Sequence, residues 1–500
     1  MVSHHTFYVG LLLCLMALPT TASKTTQYFR SCDLLLDAGL QDLILLPDSD
    51  AYAKREASYW AANVKLQPSC IIQPHTSQDV SRIVKVLNNA DGPVAVRSGG
   101  HTQWAGSNDV HHGVTIDLGL MTDVSYDAHS NLALIQPGSR WGDVYKKLLD
   151  HSVCVTGGRD GNVGIGGFLT GGGISYYAGL YGLACDTVAN FEIVVANGDI
   201  INANANSHSD LWTALKGGSG NFGIVTRFDM YAFPAHDVWG GVRVATRSEG
   251  DKLAQSMVDF TNNVENNPED AYIINYTYGP NSPDILAAHV VIATSGVVNA
   301  SAFSQIQQIP VIMDDVEKRS MANMADSYLL PGNQQQTWFS LTFRNDVEVI
   351  KKAADMHDEL VNELKVLMPG DFATQCLFQP MPTLFAQRSV ERGGNMLGLD
   401  KVQENALLGL ITGSTETPEH NAIMRDKLAA FATTLESFAR SKKLNIDWQY
   451  LNYVDQTQNP LKSYGQDNIE YIRRVAAKYD RSAMFQKKVV SGWKISAVDA

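Results

Sequence analysis

The residues of this 500-residue chain best suited to chemistry lie in short glycine-flanked stretches. In VAVRSGGHTQWAGSND, residues 94–109, His101 directly follows Arg97, Ser98, Gly99 and Gly100, with Thr102 and Ser107 just beyond. Glycines there let backbone approach a ligand closely, and the imidazole stands at that contact. A second stretch, TGGRDGNVGIGGFLTGGG (156–173), is dense enough in glycine for backbone N–H groups to converge on an anion or a flat ring. Its spacing departs from G-x-G-x-x-G, and no Gly-Lys-Ser/Thr follows, so neither a Rossmann fingerprint nor a Walker loop fits. A third, DLWTALKGGSGNFGIVTRFDM, runs a helix through glycines into a strand. Together the three clusters imply an elongated, phosphate-bearing cofactor touched at several points. Near the C-terminus, WQYLNYVD offers Tyr450, Asn452, Tyr453 and Asp455. A phenol has a free pKa of about 10, so it serves as a base at neutral pH only beside a cation or an equivalent field.

The elements that must position these residues read as α+β. PHTSQDVSRIVKVLNNADG predicts a helix, capped by Thr76 with Asp79 three residues on, and Val80, Ile83, Val84 and Leu87 on one face. GPVAVRSGG predicts a short buried strand entering the glycine turn; GVTIDLGLM and NLALIQPGS add further strands. Asn197-Gly198 predicts a hairpin between FEIVVA and DIINANA. From about Val238 to Leu444 glycine thins out. There EGDKLAQSMVDFTNNV and VEVIKKAADMHDELVNELKVL predict helices, and DAYIINYTYG and ILAAHVVIATSG predict strands. That alternation suits a sheet covered by helices on one side, leaving the other free to face a ligand. In the tail, IDWQYLNYVDQ predicts an aromatic strand, with Tyr450 and Asn452 on one face and Tyr453 on the other, followed by a terminal helix in NIEYIRRVAAKYD.

A net charge of −13 with no long basic block argues against a nucleic-acid partner. FYVGLLLCLMALP followed by TTAS predicts a signal peptide over residues 1–23 and hence secretion; the run is too short to span a bilayer comfortably, so no stable membrane association is expected. Export would leave five cysteines, among which Cys32 and Cys70 are placed to staple the N-terminal segment to the body; buried free thiols are the alternative. No C-x-x-C pair appears, and no metal site is expected. Asn275 and Asn299 stand in glycosylation sequons.

RSGGHTQWAGS, GGRDGNVGIGGFLTGGG, GLACDTV and DLWTALKGGSGNFGIVT, in that order, resemble the FAD-linked oxidoreductases with a vanillyl-alcohol-oxidase or PCMH-type flavin domain. YLNYVD and the later YD…MFQ resemble the berberine-bridge-enzyme-like branch, especially its fungal members. The resemblance implies a two-part FAD-binding domain (66–236), preceded by an N-terminal segment (24–65). It also implies a substrate domain with an antiparallel sheet covered by helices (237–443), and a C-terminal segment (444–500) that returns to the flavin domain. It implies that His101 bonds the flavin's 8α-methyl carbon. FAD contacts would come from Arg97, Ser98, Gly99, Gly100, Thr102, Ser107, Gly158, Asp160, Gly161, Val163, Gly164, Gly166, Gly167, Gly220, Gly223, Ile224, Val225 and Asn452. Many relatives hold the flavin a second time through a cysteine three residues before the Val-Gly-x-Gly-Gly run. That position here is Asp160, which implies a single histidyl link. Val163 matches a position where a small residue admits dioxygen. The family's aromatic base comes from YLNYVD, which points to Tyr453, then Tyr450, with Asp455 orienting the phenol or serving only in a turn. The expected activity is oxidation of a C–H next to oxygen or nitrogen in a small molecule, a secondary metabolite first and a saccharide second, with dioxygen as acceptor. A flavin-binding protein without turnover is the reading from another class.

Overall fold

The computed structural model describes residues 22–498; the expected signal peptide falls almost wholly outside them. Two sheets carry the glycine-rich half. In the first, Cys70–Ile72, Val114–Asp117 and Val94–Arg97 run parallel, with Ile44–Leu45 antiparallel at the edge. These strands are short and apolar because both of their faces are covered. The helix Ser77–Asn89 packs on them through Val80, Ile83, Val84 and Leu87. Its N-terminus carries the capping box read from Thr76 and Asp79. A disulfide joins Cys32 to Cys70 and so ties the N-terminal helix to this sheet, while Cys154, Cys185 and Cys376 are buried free thiols.

The second sheet is antiparallel, in the order Val124–Asp127, Leu132–Ile135, Gly223–Tyr231, Val188–Val195, Ile200–Asn204. Its last two strands are the hairpin expected at Asn197-Gly198, where Gly198 adopts φ +82°.

Apart from a short two-stranded pairing of Val153–Cys154 with Phe233–Pro234, the remaining strands form one antiparallel nine-stranded sheet. Its central members are Val238–Thr246, Leu286–Ala293, Asp270–Tyr278, Ala373–Met381, Ala406–Thr415 and Gln335–Arg344, in that spatial order. Strand alternation divides the side chains between two faces. On Leu286–Ala293, Ala287 and Val291 join a core under the helices Gly250–Asn263, Val347–Leu367 and Pro418–Ser441. Ala288 and Val290 point the other way and line a cavity shared with the glycine loops. Fully burying a Leu or Phe under those helices contributes about 1.5–3 kcal/mol each, so this face is the sheet's anchor and the opposite face is left for a ligand.

One expected element is absent. The aromatic strand read in IDWQYLNYVDQ is irregular from 447 to 450 and closes into a single 3₁₀ turn, Leu451–Tyr453, through Tyr453 N–H donating to Tyr450 O (2.9 Å). The segment passes between the large sheet and the glycine loops, and side chains meet its polar groups there. Asn452 Nδ2 donates to Phe168 O, and Gln103 donates to Val454 O.

Candidate active site

The cavity between the two halves has a volume of about 570 Å³. One wall is built from the loops around His101 and Val163 and the start of the strand Gly223–Tyr231; the other is the open face of the nine-stranded sheet.

The two loops cross at glycine. A Cβ on Gly99 would lie 2.5 Å from Gly164 Cα, so no larger residue fits without moving one loop. Gly100 adopts φ +66°, a conformation that L side chains rarely take, and this turns the chain so that His101 enters the cavity. Trp60 stacks on the imidazole with centroids 4.4 Å apart, and its indole N–H is fixed by Leu330 O at 3.2 Å. His101 Nε2 is buried, has no hydrogen-bond partner, and lies 3.9 Å from Asp160 Oδ2. Burial, with the charge of Arg140 behind it, pushes the imidazole down to about 4, so it is neutral at physiological pH. Burial also raises the Asp160 carboxyl above its usual range, although Leu330 N–H (2.8 Å) and Asn162 N–H (2.7 Å) both donate to it.

Most of the expected cofactor residues line this cavity: Ser98, Gly99, Gly100, His101, Thr102 and Ser107 from the first loop; Gly158, Asp160, Val163, Gly164, Gly166 and Gly167 from the second; Gly220, Gly223, Ile224, Val225 and Asn452 from elsewhere. Two do not. Arg97 turns away, its guanidinium 3.6 Å from the Tyr59 ring centroid and donating to Arg55 O and Ser58 Oγ; it braces the C-terminal end of the helix Asp50–Ala57 instead. Gly161 faces the helix Met321–Ser327, where its N–H donates to Ala325 O and a Cβ would come 2.7 Å from Asp326 Oδ1. A flavin fits the residues present on two observations. The cavity holds an orphaned, neutral imidazole nitrogen, and Gly167 and Gly220 on its lining leave open space where a side chain would project.

The C-terminal residues separate by environment. Tyr453 lines the cavity, and Arg159 donates to its hydroxyl at 2.7 Å and to Gln379 Oε1 at 2.8 Å. Burial opposes the Arg159 charge, yet Tyr453, Tyr176 and Tyr450 around it hold the guanidinium above its ordinary range. Tyr450 is 1 % exposed, and its hydroxyl receives N–H groups from Gly173, Ile174 and Asn452 at 3.0–3.1 Å. Burial raises that phenol, and its oxygen is already taken up by the loop; it is a brace rather than a base. Asp455 is also corrected: it does not line the cavity but pairs with Arg425 on the helix Pro418–Ser441 and closes a turn with Thr457. Asn275 sits mid-strand with its side chain on the cavity wall, where a glycan would fill the space between the two walls, whereas Asn299 is exposed in a turn.

Sequence reading missed Arg159, Trp60 and Gln379. Arg159 stood in plain view, one residue before Asp160; nothing in the spacing said that its side chain crosses the cavity to a tyrosine 294 residues away.

Residues 68–204 match the FAD binding domain family. The FAD-dependent monooxygenase drtC of Aspergillus calidoustus is 36% identical over 475 residues, spanning 94% of this chain and 91% of that protein. The FAD-dependent monooxygenase sdcF of Emericella nidulans is 36% identical over 470 residues, 93% and 98% of the two chains. Among solved structures, glucooligosaccharide oxidase from Acremonium strictum, described as carrying a 6-S-cysteinyl, 8α-N1-histidyl FAD, superposes with a TM-score of 0.75 at 20% identity over 92% of this chain and 99% of that one. Its motifs, its fold and relatives of this similarity along nearly the full length agree: the chain belongs to the FAD-linked oxidoreductases with a PCMH-type, berberine-bridge-enzyme-like architecture, and it is a FAD-dependent enzyme.

Proposed function

We propose that this protein is an oxidase that takes a hydride from a C–H next to oxygen or nitrogen of a small secondary metabolite. FAD, which His101 would hold through a single bond, would supply the two-electron acceptor, with dioxygen as the final oxidant and hydrogen peroxide as its product. The observation that carries the reading is the Arg159–Tyr453 pair in the same cavity as the orphaned His101 nitrogen.

Removing hydride from an alcohol or amine requires a partner for the proton that departs from oxygen or nitrogen. Tyr453 Oη is the phenol oxygen in the cavity with a fixed cation on it, and the Arg159 guanidinium balances the negative charge that forms when that oxygen gives up its own proton. Tyr453 is held for this role by edge contacts with Tyr450 and Trp338, ring centroids 4.9 and 5.8 Å away. Val163, half-buried on the lining, is small enough to leave room for dioxygen. On the sheet wall Ile273, Leu377 and Val290 outnumber the amides of Asn275 and Gln375, which favours a mainly apolar substrate over a saccharide.

His101 suits a covalent link because it is neutral and keeps one ring nitrogen free of partners. Asp160 occupies the place from which a cysteine would make a second bond, and a carboxylate makes no such bond. The Cys32–Cys70 disulfide and the exposed Asn299 sequon support secretion or residence in the secretory lumen.

The names of the two fungal relatives favour a second reading, insertion of one oxygen atom into the substrate. Turnover under ¹⁸O₂ separates the two. The oxidase reading expects one peroxide per dioxygen consumed and an unlabelled product. Label in the product with little peroxide would establish the monooxygenase instead.

A further inference from the structure

A second cleft, about 380 Å³, opens behind the crossing of the two glycine loops. It lies between the helix Asp50–Ala57, the turn after Asp117 and the start of the helix Trp141–Leu149, and it shares Ser98 and Gly99 with the main cavity. Four cations line it, Arg55, Arg140, Lys146 and Lys147, against one carboxylate, the exposed Asp143.

Two of the cations are already neutralised. Arg55 makes a bidentate pair with Asp117, and Lys146 pairs with Asp326 at 2.6 Å. The other two form no ion pair among the described residues. Arg140 donates only to carbonyls, Gly99 O at 2.8 Å and Asn162 O, and Lys147 donates to Thr122 O at 3.2 Å. Burial first, then the charges of Arg97 and Arg55, lower the Arg140 guanidinium against the opposing pull of Asp143 and Asp160, neither of which pairs with it directly. Between these groups stands Ser139. It is 3% exposed, lines the cleft, and its hydroxyl has no hydrogen-bond partner. A buried hydroxyl without a partner is costly, so its persistence at a cationic cleft signals a missing acceptor.

We propose that this cleft binds a phosphate-class dianion, inorganic phosphate or a phosphate monoester, through Arg140, Lys147 and Ser139 Oγ. The dianion supplies several acceptor oxygens for the serine hydroxyl and the unpaired cations, as charge-assisted hydrogen bonds require. Because Arg140 holds the carbonyls of both Gly99 and Asn162, the bound anion fastens the two loops that flank His101 from behind. The cleft is thus a binding site distinct from substrate turnover, and it acts on the stability of the cofactor loops.

The test uses the intact protein, titrated with sodium phosphate against sodium chloride at matched ionic strength, read by thermal unfolding and by isothermal calorimetry. The expected result is a saturable, phosphate-specific rise in Tm with one site per chain. Ser139→Ala and Lys147→Gln each weaken the affinity by roughly threefold to tenfold. Asp143→Asn strengthens it severalfold, because it removes the opposing carboxylate. A glycerol phosphate arm separates the two sources: equal affinity assigns the free anion, tighter binding assigns an ester, and either supports the site. An equal response to chloride, or phosphate binding that ignores all three substitutions, overturns the proposal. Lys147 and Asp143 are exposed, so their variants fold and the outcome is readable even where Ser139→Ala is destabilised.

Discussion

The two walls of the main cavity are made in different ways. The loop wall is shaped by glycine backbone, with His101, Asp160 and Val163 set into it, and that shape depends on glycines that allow two loops to touch, as Gly99 and Gly164 do. The sheet wall presents side chains at alternate strand positions, such as Asn275, Gln375 and Leu377. A backbone-built wall tolerates little substitution, so it suits a cofactor that never changes. A side-chain wall can be rewritten residue by residue without disturbing the ladder, so it suits the partner that varies between enzymes of one fold. Tyr450 and Tyr453 show the same contrast within four residues. The first is consumed by loop N–H groups, and the second faces the cavity with a cation on its oxygen.

The most severe way to break this contrast is to remove the loop-wall side chain proposed to bond the flavin. His101→Ala is expected to abolish acid-stable flavin: the precipitated pellet turns colourless and the intact mass loses one FAD. Wild type that already gives a colourless pellet would show that the loops hold the cofactor by backbone alone. Tyr453→Phe comes next. Loss of a general base lowers the rate of flavin reduction by about 10²–10⁴ with the flavin still attached. Arg159→Met should lower it less, with KM little changed and the flavin still attached, because the cation acts through its hydrogen bond to Tyr453 Oη. If Arg159→Met changes KM alone, the guanidinium belongs to substrate binding and the pairing has been misread. Tyr450→Phe sharpens the comparison from the other side. It leaves the Gly173 and Ile174 N–H groups unpaired in a buried place, so stability falls by about 1–3 kcal/mol in urea titration while the per-flavin reduction rate stays within a few-fold.

The same contrast decides what could be read before folding. Glycine clusters survive as strings in the sequence because the backbone conformations and close approaches they serve are local, and hence the loops around His101 and Val163 could be named as a cofactor wall, while the roles of individual loop residues came from the family resemblance. Helix signals were legible for a similar reason: Thr76 and Asp79 cap a helix through atoms three residues apart. Period-two strands in the sheet were legible too, but only as a pattern. Which face of Asp270–Tyr278 meets the ligand depends on helices contributed by other parts of the chain, and so Asn275 read as a glycosylation site when it is part of the cavity wall. Arg159, Trp60 and Asp455 failed in the same way. Each acquires its role from a partner far off in the chain: Tyr453, the His101 ring and Arg425. The WQYLNYVD segment failed differently. Its aromatic alternation is that of a strand, but strand pairing ends at Ile446, and beyond it the chain closes a 3₁₀ turn whose Asn452 side chain donates to the loop carbonyl of Phe168.

The smallest effect lies in the support behind the loop wall, where chemistry should be untouched. Glu56, on the helix Asp50–Ala57, is buried, and burial together with the charge of Asp109 raises its carboxyl to about 7, against the lowering pull of Arg97. In the unfolded chain the same group titrates near 4.3. Between those values the folded protein binds more protons than the unfolded one, so the free energy of unfolding falls as pH rises from about 4.3 to 7 and levels off above. Glu56→Gln keeps the neutral form at every pH. It should therefore gain urea resistance relative to wild type at pH 8 and gain little at pH 5, with the per-flavin turnover unchanged at both. Asp109, raised in the same direction by burial, keeps part of the slope in the variant. Equal gains at the two pH values would mean that Glu56 is ionised in the fold throughout. Its charge would then be part of the bracing around Arg97 that holds the His101 loop in place, and that side of the loop wall would depend on side chains after all.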